Sequence, residues 1–267
     1  MKTLNAKLLG AALLASSFVG AAHAGLTVSA LASPFSAAGN YSPPSTDNGS
    51  TPVSVSLAAG SGRTLTFDVS GSWNCCGTTS FLYTGADGRA GEETHVGDVN
   101  KISGPDASRV MFLAGVFLGA DSNGNPILPG TTPTRAQYMA AGDFQSASYS
   151  GIALGQIFFI GDGYTGTEVY NAVNPATQPG TATTSTSKTG SQQIFYVPDA
   201  AAFLYLGVVD GCSFGGPPSC YRDNTGSMDV AVNQIQGTVS KVPEPGTTAL
   251  LALALTGLAI SRRRRQA

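Results

Sequence analysis

Leu65-Thr66-Phe67-Asp68-Val69 alternates strictly between apolar and polar residues, and Val53-Ser54-Val55-Ser56-Leu57 does the same just upstream. A period of two puts every second side chain on one face of an extended chain, so both stretches predict half-buried β-strands. Working outward, Leu26 to Leu31 alternates in the same way. Val110 to Leu118, Ile157 to Ile160, Gln193 to Val197, Phe203 to Val209 and Met228 to Ile235 predict further strands, some apolar enough to be covered on both faces. No segment sustains a 3.6-residue period with caps. Short strands parted by Gly, Pro, Asn and Asp predict an all-β fold: an antiparallel β-sandwich of two packed sheets, of the jelly-roll kind. Ala120 to Thr134 and Asn171 to Ser191 predict loops within it, not domain boundaries.

Both ends carry a different signal. Residues 1–24 combine Lys2 and Lys7, an apolar run from Leu8 to Val19, and the small-residue ending Ala22-His23-Ala24, which predicts a secretory signal peptide cut after Ala24. Residues 241–267 hold Pro243-Glu244-Pro245, an uncharged apolar run from Thr247 to Ile260, and Arg262, Arg263, Arg264 and Arg265. That run is shorter than the roughly 20 residues a comfortable spanning helix needs. Arginines beside it resist translocation and fix its orientation. Two prolines around Glu244 make an extended joint that a processing enzyme can grip. Residues 25–240 between these ends are the predicted β-sandwich ectodomain.

The tail closely resembles the PEP-CTERM sorting signal of Gram-negative bacteria: a Pro-Glu-Pro triplet, a short transmembrane helix and an arginine cluster, in that order. The resemblance implies recognition and removal of the tail by an exosortase. It also implies an exported protein, anchored transiently in the inner membrane by that helix and then released to the cell surface or extracellular polysaccharide matrix.

Cutting after Ala24 and after Val242 takes away six basic residues and one acidic one, which leaves Gly25 to Val242 at a net charge of about −7. Nucleic acid is excluded as a partner on that charge, and the membrane is met only through the C-terminal segment. Cys75, Cys76, Cys212 and Cys220 face an oxidising compartment once the chain is exported, so two disulfides are expected. Adjacent cysteines fit disulfide geometry poorly, which leaves two connectivities, each tying the loop from Gly71 to Thr79 to the loop from Gly211 to Tyr221.

Constellations for catalysis are thin. His95 is the only histidine outside the predicted signal peptide, no G-x-S-x-G elbow is present, and Glu92, Glu93 and Glu168 show no distinguishable acid and base environments. A non-catalytic protein is expected; a glycoside hydrolase acting on matrix sugars is the disfavoured alternative. Asp121 to Thr132 begins like an EF-hand loop but has Pro126 at position 6 and Thr132 at position 12, so it reads as a turn. A better oxygen cluster comes later. Asp210 ends an apolar strand, and Asp223 and Asn224 precede the next one, which brings hard ligands for calcium from two neighbouring segments.

The blocks GSWNCCG, GQIFFIGDGYTGT, FLYLGVVDG and YRDNTGSMDVAV, between about Ser70 and Val232, resemble galactose-binding-like jelly rolls and, more distantly, the bacterial calcium-dependent galactose lectins. The resemblance implies that Asp210, Asp223 and Asn224 ligate calcium by their side chains and Cys76 and Cys220 by their carbonyls, with two sugar hydroxyls completing the shell. This chain departs from the lectins in having Asp223 first in the paired ligands and a longer loop from Gly211 to Ser219. Trp73 and His95 fall near the same rim, where Trp73 is either a sugar-stacking ring or a core residue. Glycan or exopolysaccharide binding is the expectation, with a structural surface protein lacking a specific ligand as the alternative.

Overall fold

The computed structural model describes residues 21–39, 49–75, 83–166 and 188–235. Among them the chain forms strands β1 (Ala21–Ser29), β2 (Val53–Ser56), β3 (Thr64–Asn74), β4 (Tyr83–Thr84), β5 (Arg89–Val96), β6 (Asp106–Val110) and β7 (Leu113–Ala120). There follow β8 (Pro126–Ile127), β9 (Gln137–Tyr138), β10 (Ser148–Tyr149), β11 (Ile157–Phe159), β12 (Ile194–Tyr196), β13 (Phe203–Val208), β14 (Gly215–Gly216) and β15 (Thr225–Ile235). The chain divides into compact units Met1–Gln236 and Gly237–Ala267, and every described residue belongs to the first. The predicted sorting residues Pro243, Glu244, Pro245 and Arg262 to Arg265 lie outside the described residues, as does residue 1–20 of the predicted signal peptide.

Alternation becomes strand where it was read. In β3, Leu65, Phe67, Val69 and Trp73 are buried while Asp68 and Ser70 are exposed. Its neighbour β15 buries Met228, Val230 and Val232 opposite, through antiparallel register from Thr225↔Asn74 to Ile235↔Thr64. Burial of each such large apolar side chain contributes about 1.5–3 kcal/mol. The resulting sheet runs β1-β15-β3-β12-β10, with β4 beside β3. A second sheet, β11-β7-β13-β2 with β8 beside β7, faces it: Phe158 of β11 meets Phe195 of β12 at 5.8 Å between ring centroids.

Unbroken apolar runs are covered on both sides. Leu113 to Leu118 in β7 and Leu204 to Val208 in β13 are buried throughout, because Phe35 and Ala37 of a 3-10 segment (Pro34–Gly39) close the far face. Gly207 permits this crossing, since a Cβ there would stand 2.5 Å from the carbonyl oxygen of Ala32.

The fold departs from the expected two antiparallel sheets in three respects. A third sheet, β14-β5-β6-β9, exists, and β10–β12, β14–β5 and β6–β9 are parallel pairs. The stretch Val110 to Leu118 is not one strand: the chain turns at Met111, whose φ of 56° ends β6 before β7 begins. The region Ala120 to Thr134 is a loop apart from β8. Most of Asn171 to Ser191 lies outside the described residues. Strand β1 starts at Ala21, upstream of the predicted cut, and its register with β15 shifts between His23 and Leu26.

Candidate functional site

Asp210 stands where β13 runs out. The apolar residues before it are held in the core, so its carboxylate emerges at the strand end and remains 3 % exposed. A buried carboxylate needs donors. Its Oδ1 accepts from the Gly211 amide at 2.7 Å and its Oδ2 from the Asn224 side-chain amide at 2.8 Å. That second contact is placed by the 3-10 turn Tyr221–Asp223, closed by the Asn224 amide donating to the Tyr221 carbonyl at 3.0 Å. Tyr221 is fully buried and anchors the turn, its hydroxyl donating to the Val208 carbonyl at 3.0 Å. Asn224 Nδ2 also donates to the Ala30 carbonyl at 3.1 Å, which joins β1, β13 and β15 at one point.

In front of Asp210 opens a cleft of about 330 Å³, lined by Asp210, Asp223, Cys220, Phe214, Ser213 and Cys75 among others. Asp210, Asp223 and Cys220 thus line one cleft, and Asn224 bonds Asp210. Cys76 lies outside the described residues. Among the described residues, no group of three or more His, Cys, Asp and Glu is gathered to hold a metal ion.

For calcium, which takes six to eight oxygens, the described donors are two carboxylates and one amide oxygen. Asn224 Oδ1 is buried with no hydrogen-bond partner, an acceptor that costs free energy as it stands. Turning the amide over would set that oxygen beside Asp210 and give up the bond to Ala30. In that rotamer the three described side chains would turn oxygens toward a hard cation, fewer than the six to eight that calcium takes.

One sequence expectation is corrected. Cys212 pairs with Cys220 inside one loop, Cα to Cα 5.2 Å, and does not tie that loop to the one at Cys75. The Gly- and Pro-rich segment between them turns the chain back on itself, helped by the bridge Gly211↔Pro218, so the two cysteines meet locally. Cys75 is also disulfide-bonded, with its partner outside the described residues. Trp73 is fully buried and its indole Nε1 donates to the Met111 carbonyl at 2.7 Å, so it is a core residue and presents no face to a sugar.

His95 sits on β5, whose His95 and Val96 pair with Gly215 and Gly216 of the cleft loop. Its ring nitrogens bond Glu93 at 3.0 Å and Asp106 at 3.1 Å, and these two acceptors raise its pKa above the ordinary value. Burial pushes Asp106 up, but hydrogen bonds from His95 and Gln137 and the charge of Arg135 outweigh it and hold the carboxyl below the usual range. The histidine belongs to a surface network and does not line the cleft. Asp121 is the turn its sequence suggested: Oδ1 accepts from the Asn123 and Asn125 amides at 2.8 Å each.

Phe214, Ser213 and Tyr221 were not singled out as site residues from sequence. An aromatic residue inside a short Cys-bounded Gly-Pro loop was the available signal for the first.

The class so far defined is an antiparallel-rich, β-sandwich-like protein with a small acidic cleft at the end of a central strand. Residues 241–265 match the PEP-CTERM protein-sorting motif. This motif is recognised by an exosortase and marks an exported protein, anchored transiently by its C-terminal region and sorted to the surface. No helix among the described residues is long and apolar enough to cross a membrane. Comparison with curated proteins and with solved structures returns no match.

Proposed function

We propose that this is a non-catalytic surface protein whose cleft binds calcium and, through it, the hydroxyls of a glycan, within or against the extracellular polysaccharide matrix. The observation that carries this reading is the placement of Asp210 and Asp223 on one cleft with the unpartnered Asn224 Oδ1 behind them. Calcium would be held by Asp210 and Asp223, by Asn224 in its turned-over rotamer, and by the carbonyls of Cys220 and Cys76. It would supply positive charge for two sugar hydroxyls to approach. The lectin-like, jelly-roll relationship belongs to the same proposal, since it rests on sequence resemblance alone.

Melting curves with calcium, with chelator and with a glycan panel test it. A calcium-dependent rise with a further rise on one glycan is the expected result. The closed network of Asp210, Asn224 and Ala30 favours a second reading, a structural surface protein without specific ligand. Equal melting under all three conditions would select it.

A further inference from the structure

The loop that closes the cleft is built against the usual preferences of its own residues. Ser213 and Phe214 both have φ of 58° and Cys220 has 67°, in the left-handed region where glycine is the usual occupant. Glycines stand next door at 215 and 216, so the strain falls on the bulky residues although permissive ones are adjacent. Four restraints hold that shape: the Cys212–Cys220 disulfide, the Gly211↔Pro218 bridge, the pairing of Gly215 and Gly216 with β5, and the Gly97 amide bonded to the Gly216 carbonyl at 2.6 Å. Gly211 must lack a side chain, because a Cβ there would meet the Gly215 carbonyl at 2.8 Å. Their joint effect is to present Phe214 to the cleft, half-buried, one part packed on the core and the rest lining the wall. Among the described lining residues it is the only aromatic one.

We propose that Cys212–Cys220 is a recognition loop and that Phe214 is the wall against which the apolar face of a pyranose ring packs while its hydroxyls face Asp210 and Asp223. This deepens the glycan reading above and rests on it. A sugar ring presents C–H groups on one face and hydroxyls at its edge, and the cleft lining holds both an aromatic side chain and two carboxylates. At about 330 Å³ the cleft is near the small end of ligand sites, which suits a terminal sugar and not a long segment of polymer. Backbone held in a sparsely populated conformation by surrounding restraints is a common mark of ligand contact.

Saturation-transfer NMR on the disulfide-intact exported protein, in millimolar calcium, with the methyl glycosides of galactose, glucose and mannose is the test. For the sugar that binds, saturation should enter through its C–H face, the Phe214 ring resonances should move on titration, and Phe214→Ala should weaken binding about tenfold or more. Phe214→Tyr, which keeps the ring, should bind nearly as wild type, and both variants should keep the calcium-induced rise in melting temperature. Unchanged affinity in Phe214→Ala, or unmoved Phe214 resonances in wild type saturated with sugar, would overturn the inference and leave the glycan reading standing. Absence of binding by the wild type to all three sugars, with the calcium response intact, would remove the glycan reading and this inference together. Should Phe214→Ala fail to fold, the wild-type ring resonances decide alone.

Discussion

Asp210 shows how one residue acquires two possible roles. As a buried carboxylate held by the Gly211 and Asn224 amides it is a structural joint; in the proposed reading, with Asn224 turned over, it would be the floor of a cation site. Losing one partner of such a pair leaves the other unsatisfied, so Asp210→Asn should lower calcium-free stability by about 1–2 kcal/mol, because its new NH2 would face the Asn224 NH2. His95 offers a prediction of a different sort. Its folded pKa is raised by Glu93 and Asp106, so the stability it contributes is complete below its unperturbed value of 6.5 and fades as pH climbs through the folded value. NMR titration of the His95 ring should place its midpoint above 6.5, and urea midpoints should fall across that window in wild type but not in His95→Gln. A midpoint at or below 6.5 would contradict the hydrogen-bonding described for its ring.

Elements show where the sequence was readable. Alternation at Val53 to Leu57 and Leu65 to Val69 fixed two strands because their faces differ in burial. The same strand beyond Val69 was not readable: Gly71, at φ 114° and with the Ser227 carbonyl oxygen 2.5 Å from where a Cβ would stand, looks like a break yet continues the pairing. Strand β5 carried no apolar pattern, since Ala90 to Glu93 are all exposed; its pairing with β6 and β14 makes it a strand. Asp210 was legible because a carboxylate ending an apolar run has few places to go. The bond from Asn224 to Ala30, 194 residues away, was not, and neither was the conformation of Phe214, which depends on the disulfide around it. The local pairing of Cys212 and Cys220 predicts that replacing both with serine removes about 2–3 kcal/mol of stability. Urea unfolding of wild type and double variant measures it, and equal midpoints would show that the loop does not depend on the bridge.

At the scale of the whole molecule, sorting and binding are separable. The match at residues 241–265 leads to the expectation that protein recovered outside the cell lacks Thr247 to Ala267, which intact-mass spectrometry will show. An arginine tail on most of those molecules would argue for a plain anchor. Ligand binding acts on the folded unit as a whole, since a cation held only in the native state raises stability by RT ln(1 + [Ca]/Kd), about 2.7 kcal/mol at a hundredfold excess over Kd. The most direct measurement is the calcium dependence of melting in wild type, Asp210→Asn and Asp223→Asn, each against its own chelated baseline. The account predicts a rise in wild type that is largely absent from both variants, with the Asp223→Asn baseline unmoved because that residue lies half-exposed on the cleft wall. A wild type indifferent to calcium, or three equal rises, would contradict it.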